Sequence, residues 1–528
     1  MIDLRSNLRL KEILSEKDRF PIGVELVSTR GTIKQNQTPK AHAFSESLTH
    51  SPRVDWVSIT DNAGGNPQLA PLALGTPILY AGKEVVIHLT CKDLNRYALE
   101  SQLWLLASQG FHNILALTGD YPIESFEGRA KPVFDIDSVA LLTMIKKLNG
   151  GLEVTAGGAK TKKKLDSTHF FAGAVTSNFK LHENTLLPQY DKLERKIQSG
   201  AQYIINQIGF DARKSHELIE YLRMRGLGRT PLIGNVYVLS PFVARLFHEM
   251  KIPGVVLTDE LHAICEKQGS SPDKGKKFFR EFAAKQLAIY RGLGYKAGYL
   301  GGVHSYREVE EILDIEKSFA PGDWKQFAKE ILFSRKGEFF LFEQDEDSRL
   351  ARPGEVNRQW AATLHAKKSN KNVTFLYHLS KLSHALAFTQ GKGVAPLAEK
   401  ICRKAKDPSH GPVWLRPIEH LAKAVLFSCH ECGDCSLCET AFLCPESQCA
   451  KNQRNGPCGG TRDGKCEVYE KECIWARAYD RMKYEGKSEH LLDHAPVIQN
   501  QGLRGTSSWA NFWLGKDHTA TKATKKPS

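Results

Sequence analysis

Short apolar runs alternate with longer amphipathic stretches through roughly the first 300 residues. The apolar runs fall at 24–27, 56–60, 85–89, 113–118, 170–175, 203–208, 232–238 and 297–302. Each is rich in Val, Ile, Leu or aromatic residues and reads as a strand buried on both faces. Helical patterns lie between them at 98–108, 138–148, 190–199, 212–224, 241–250 and 276–293. The first two connections carry no clear helical pattern. Eight strands alternating with helices predict an α/β fold closed into a (β/α)8 TIM barrel. An open doubly wound sheet is the rival arrangement. The strand count disfavours it, and no G-x-G-x-x-G follows any strand. The one glycine-rich stretch, Gly150 and Gly151 through Gly157 and Gly158, runs into lysines at 160–164 instead of a helix. That basic run reads as a solvated loop, with phosphate attraction as the lesser reading.

The pattern divides the chain into four parts: a barrel over 1–318, a mixed helical connector over 319–425, a cysteine-rich module over 426–495, and a polar tail over 496–528. The tail ends TATKATKKPS and is expected to be disordered. A length of 528 residues suits several domains. Hydrophobic residues at 41% and charged residues at 25% are ordinary for a globular chain. The net charge of +14 is spread along the sequence, without a nucleic-acid-binding motif, so an anionic small molecule is its better functional use. The first residues are charged throughout and no run suits a membrane span, so the expected location is the cytoplasm. Thiols stay reduced there, and twelve cysteines then argue for metal ligands over disulfides.

Barrel chemistry sits where strands end and loops converge. Polar residues gather at those points: Thr60, Asp61 and Asn62; His88, Thr90 and Cys91; Thr118, Gly119 and Asp120; Ser177 and Asn178; Asn206 and Gln207; and His304. Glu25 lies inside the first apolar run, GVELVS. Burying a carboxylate is costly, so Glu25 is either half of a structural ion pair or a general acid with a raised pKa.

The segments VSIT at 57–60, HLTC at 88–91, ALTGD at 116–120 and GAQYIINQIGFD at 200–211 resemble, in order and spacing, the methylenetetrahydrofolate reductase family. The resemblance covers roughly residues 20–315. It implies a barrel with FAD at its mouth, passing hydride from flavin to the methylene carbon of a folate. Glu25 would help to protonate the folate as its five-membered ring opens. Asp120 would sit beside flavin and pterin, and Gln207 would bind the pterin. Thr60, His88 and Lys196 would contact flavin, as would Thr118, which stands where many members carry Arg. The family's tyrosine-proline is absent near 175–177, and its acidic flavin contact falls near Gln189, with Asp191 close by.

Nine cysteines crowd between 429 and 473: Cys429, Cys432, Cys435, Cys438, Cys444, Cys449, Cys458, Cys466 and Cys473. Four thiols at intervals of three, followed by a Cys-Pro, suit an iron–sulfur cluster. Four thiolates equally hold tetrahedral zinc. Eight of the nine would fill two four-ligand sites, and the spacing does not say which eight. The segment NGPCGG with CEV resembles the cysteine-rich C-terminal domain found on some of these reductases, which implies metal centres and electron delivery. Gly456, Gly459 and Gly460 would let the backbone turn tightly around Cys458. Cys91, Cys265 and Cys402 are isolated and read as buried, inert thiols.

These readings predict an oxidoreductase of one-carbon metabolism and methionine supply that reduces 5,10-methylenetetrahydrofolate to 5-methyltetrahydrofolate. The partners expected are folate, an electron-carrier protein or NAD(P)H as donor, and a second copy of the chain. The alternatives are oxidation of methyltetrahydrofolate in the reverse direction, and a non-catalytic folate- or flavin-binding scaffold that docks a partner through its metal module.

Overall fold

A computed structural model describes residues 9–36, 39–155, 161–389, 391–405 and 411–520. Gly157, Gly158 and Lys160 lie outside them, as do tail residues 521–528. The eight expected strands are all present: β1 (Ile22–Leu26), β2 (Trp56–Ile59), β3 (Glu84–Thr90), β4 (Asn113–Leu117), β5 (Phe171–Thr176), β6 (Tyr203–Asn206), β7 (Leu232–Tyr237) and β8 (Ala297–Gly301). They are parallel and close into a barrel as β8 pairs with β1.

Each strand turns alternate residues inward, as its pleat requires. Trp56, Phe171, Tyr203 and Tyr299 fill the interior, joined by Leu10 and Leu14 from the N-terminal segment. Two glycines make room for these rings. A Cβ on Gly23 would fall 2.0 Å from the Trp56 ring, and one on Gly173 would fall 2.2 Å from Tyr203. The outward residues pack beneath the surrounding helices in a second, larger apolar layer. Further along the strands polar residues enter, with Glu25 opposite Ser58 and with Ser58 hydrogen-bonded to His88.

The unclear first connections hold helices Pro39–His50 and Pro71–Tyr80. The second hides its period because it is apolar nearly all round and contains Pro77. Its Gly75 lies against Phe111, Ile59 and Ile87, where a Cβ would come within 3.1–3.3 Å of their side chains. Helix Glu183–Gln198 begins seven residues before the expected 190, despite Pro188 within it. Helix Asp259–Gly269 gave no separate signal between the neighbouring helices.

The connector contains an antiparallel hairpin, Phe342–Gln344 with Ala351–Val356, and four further helices between residues 358 and 427. The cysteine-rich module lies across the barrel mouth. Ile474, Trp475, Ala478 and Tyr479 of its helix Ile474–Tyr484 belong to the same core as the barrel helices. The expectation of a disordered tail is corrected for residues 496–520. Val497 N donates to Asn455 Oδ1 at 2.6 Å, and Ala510 and Asn511 of helix Ser508–Trp513 are buried. The polar side chains there are used as internal hydrogen-bonding groups, which composition does not reveal. Lys162, Lys163 and Lys164 form an exposed strand of a small hairpin, as a solvated basic run should.

Candidate active site at the barrel mouth

The polar ends of the strands surround a cavity of about 280 Å³. Its wall includes Glu25, Thr60, Asp61, His88, Thr90, Thr118, Asp120, Lys196 and Gln207. All seven barrel residues singled out from the sequence for site roles therefore meet in one place. Asn62, Asn178 and His304 do not line it, and Asn206 is spent on structure. Asn206 Oδ1 accepts from Asn235 N at 2.9 Å, and its amide donates to Tyr290 OH at 2.9 Å.

Glu25 is held by β1 with its carboxyl on the cavity wall. Burial raises its pKa above the ordinary carboxylate range, and the Tyr299 hydroxyl, donating to Glu25 Oε2 at 3.1 Å, offsets that only in part. No cation pairs with Glu25 among the described residues, so the structural ion-pair reading has no partner to name. His88 is pushed down to about 4 by burial and is a neutral imidazole at working pH. Its Nε2 shares a 2.8 Å hydrogen bond with Ser58 Oγ. Thr90 Oγ1 donates to Asp61 Oδ2 at 2.7 Å, and burial raises the Asp61 carboxyl. Asp120 Oδ2 accepts from Gly64 N at 3.0 Å, which fixes the carboxylate at the rim. Lys196 donates to Val175 O at 2.5 Å. Burial and the neighbouring Lys192 bring its pKa down to about 7.

The other side of the cavity comes from the module, through Lys451, Cys458, Gly459, Gly460 and Glu467. This contribution was not legible in the sequence, because the two walls are far apart along the chain. Cations of the barrel hold the module down. Lys180 donates to Gly459 O at 2.5 Å and to Thr461 O at 2.6 Å. Lys192 donates to Gln453 Oε1 at 2.9 Å and to Gly456 O at 3.1 Å. Arg195 donates to the carbonyls of Leu492 and His494. Asp137 accepts Asn455 N at 3.0 Å and Asn455 Nδ2 at 3.1 Å. The positions that depart from the family pattern also face the module. Thr118 Oγ1 donates to Gln453 Oε1 at 3.3 Å, and Gln189 Nε2 donates to Cys458 O at 2.7 Å.

A flavin ring suits the barrel side of the cavity. Thr60 Oγ1 is buried with no hydrogen-bond partner among the described residues, a vacancy for a ring carbonyl or imide. The cavity is at the small end of the roughly 300–1,000 Å³ usual for small-molecule sites.

The thiols fall into two neighbourhoods. Cys429 and Cys432 each lie within electrostatic reach of Cys435 and Cys444. Cys449 lies near Cys458 and Cys466, and Cys473 near Cys458 and Cys449. Cys438 is exposed, with its thiol donating to Glu439 Oε2 at 2.7 Å. No three of these thiols lie within 4.8 Å of one another. Cys91, Cys265 and Cys402 are buried singly, as expected.

A parallel eight-stranded barrel with acid, amide and imidazole groups converging at its strand ends is the architecture of a barrel enzyme. Residues 34–288 match the family model for methylenetetrahydrofolate reductase, and residues 414–501 match the model described as methylene-tetrahydrofolate reductase C terminal. The chain belongs to the methylenetetrahydrofolate reductase family. Methylenetetrahydrofolate reductase 2 of Saccharomyces cerevisiae is 24% identical over 260 residues, which are 48% of this chain and 39% of that protein. The chain thus spans about two-fifths of the length of this curated relative. Among solved structures, an uncharacterized protein from Clostridium thermocellum that binds two copies of 5-methyl-5,6,7,8-tetrahydrofolic acid is 12% identical, with a TM-score of 0.41 over 58% of this chain and 97% of that one. EDTA monooxygenase from Chelativorans sp. BNC1 is 12% identical, with a TM-score of 0.35 over 60% of this chain and 99% of that one. No helix among the described residues is long and apolar enough to cross a membrane.

Proposed function

We propose that the chain reduces 5,10-methylenetetrahydrofolate to 5-methyltetrahydrofolate, with a flavin, FAD by the family resemblance, at the barrel mouth. The observation that carries this reading is Glu25: a carboxyl with a raised pKa, unpaired by any cation, facing the same cavity as Asp120 and Gln207. A bound flavin supplies the hydride. The chain's own residues do the rest. Glu25, its carboxyl raised by burial, delivers a proton to the folate nitrogen released as the ring opens. Asp120 and Gln207 together read the donors and acceptors of the pterin edge. Thr60, neutral His88 and Lys196 line the barrel side of the ring, with Thr118 at its rim. The module excludes water above them, which strengthens each of these interactions.

The proton comes from the acid form of Glu25, so turnover is high below its raised pKa and falls as pH rises through it. A pH–rate profile of the single chemical step checks this. The same descending limb in Glu25→Gln would remove the assignment.

For the module we assign Cys429, Cys432, Cys435 and Cys444 to one metal centre, and Cys449, Cys458, Cys466 and Cys473 to another. One tetrahedral zinc, with Zn–S bonds of about 2.3 Å, draws its sulfurs to roughly 3.8 Å apart. The closely spaced thiols that end in Cys-Pro favour iron–sulfur clusters, with zinc as the alternative. The expected result for Cys435→Ser is loss of half the bound metal, while Cys438→Ser keeps all of it. Metal and sulfide counts on anaerobically purified protein read both. Equal losses in the two variants would overturn the partition.

The function is tested by anaerobic turnover of methylenetetrahydrofolate with a reduced carrier protein or viologen and with NAD(P)H, run in both directions. Formation of methyltetrahydrofolate is the expected result. No conversion in either direction with any donor would leave only a binding scaffold.

A further inference from the structure

Two charged side chains of the module face the barrel cavity without being thiol ligands. Lys451 donates to Gly119 O at 2.9 Å, beside Asp120, and forms an ion pair with Glu467 Oε1. The Glu467 side chain is only 10% exposed, and its second oxygen, Oε2, meets no hydrogen-bond donor among the described residues. A buried carboxylate oxygen without a donor is costly, and beside a cavity it calls for a ligand. The backbone is shaped to place it. A Cβ on Gly460 would lie 1.9 Å from the Glu467 carboxyl carbon, so any other residue would drive the carboxylate out of its seat. A Cβ on Gly459 would lie 2.7 Å from Ser177 Oγ, so this glycine lets the turn press onto the end of β5.

We propose that Glu467 is a specificity-determining residue of the barrel site, supplied by the metal module. Its Oε2 accepts hydrogen bonds from an N–H edge of the bound ring, of the kind an amino-pyrimidine presents. An ionised carboxylate only accepts, so the vacancy selects a donor, and a paired N–H edge meets it most strongly. Lys451 balances the charge and fixes the carboxylate against Gly119. A ring without that edge leaves Glu467 unpaired and is rejected. The module is then one wall of the substrate site as well as a metal carrier. This inference rests on the folate reading above.

The test is a binding titration of methyltetrahydrofolate to the full-length, metal-loaded protein, with metal counted in every sample. Glu467→Gln, and Glu467→Asp, which keeps the charge and retracts the oxygen by one methylene, are compared with the unaltered chain. The expected result is weakening of about tenfold or more in both variants, with unchanged metal content. In addition, the unaltered chain binds an analogue lacking the ring amino group about tenfold more weakly than its parent ligand, whereas Glu467→Gln binds the two nearly alike. Full affinity in either metal-loaded variant would overturn the inference and leave Glu467 as a partner of Lys451. If the unaltered chain binds no folate, the functional reading falls, and this inference falls with it.

Discussion

Glu25→Gln is expected to lower turnover by roughly 10²–10⁴-fold, the usual contribution of a positioned general acid. The amide keeps the shape and still accepts the Tyr299 hydroxyl, but it has no proton to give at neutral pH. Folate affinity and flavin content should therefore hold while the chemical step fails. Tyr299 is the supporting residue: it reaches Glu25 from β8, across the seam where the barrel closes. Rapid-mixing kinetics under saturating folate separates the step from binding. A Glu25→Gln protein that turns over within a factor of about three of the unaltered chain would show that the proton comes from elsewhere.

The second large effect is expected at Asp137. This buried residue caps helix Ser138–Asn149, accepting Val139 N and Ala140 N at 3.1 Å, and it also accepts both donors of Asn455 from the module. Its charge further supports the buried Lys192 and Arg195. Asp137→Ala removes the cap, strands the Asn455 backbone donor and takes a supporting anion from two buried cations. Breaking such a buried network typically costs about 3–5 kcal/mol. The loss should appear as a lower unfolding midpoint and as protease cleavage within the module, because the lost contacts are the ones joining it to the barrel. Asp137→Asn, which retains part of the hydrogen bonding, should fall between. An Asp137→Ala protein as stable as its parent, with the module still protected, would mean that the other latches carry the docking.

Much of the barrel could be read from the chain because its strands advertise themselves. Runs such as GVEL and WVSI are buried on both faces and need little else to be recognised. Their ends turn polar where the pleat brings side chains into the mouth, and this made Thr60, His88, Asp120 and Gln207 visible as a set. Glu25 stood out because a carboxylate in an apolar strand is expensive. Tyr299 did not stand out, since an aromatic residue in a buried strand reads as packing, although a buried hydroxyl always needs a partner. Asp137, the residue before an apolar helical run, did not stand out in the sequence. Its second partner, Asn455, lies 318 positions away. The module's half of the site was hidden for the same reason. NGPCGG reads locally as a tight turn around a ligand, and nothing in it says that the turn faces Ser177 and Lys192. Period and propensity carry local information, whereas the meeting of two distant walls is decided by packing. The nine thiols, evenly spaced at first, likewise divided only when folded, because the run at 429–438 contributes three members to its set and leaves Cys438 aside.

The most direct measurement is rapid anaerobic mixing of the flavin-reduced, metal-loaded protein with methylenetetrahydrofolate, following the flavin absorbance and identifying the product by mass. Reoxidation of the flavin with one methyltetrahydrofolate formed per flavin, suppressed in Glu25→Gln while that variant still binds folate, is the result predicted here. Flavin that stays reduced in the presence of saturating folate, with no methyl product, would contradict the claim that this mouth is a folate-reducing site.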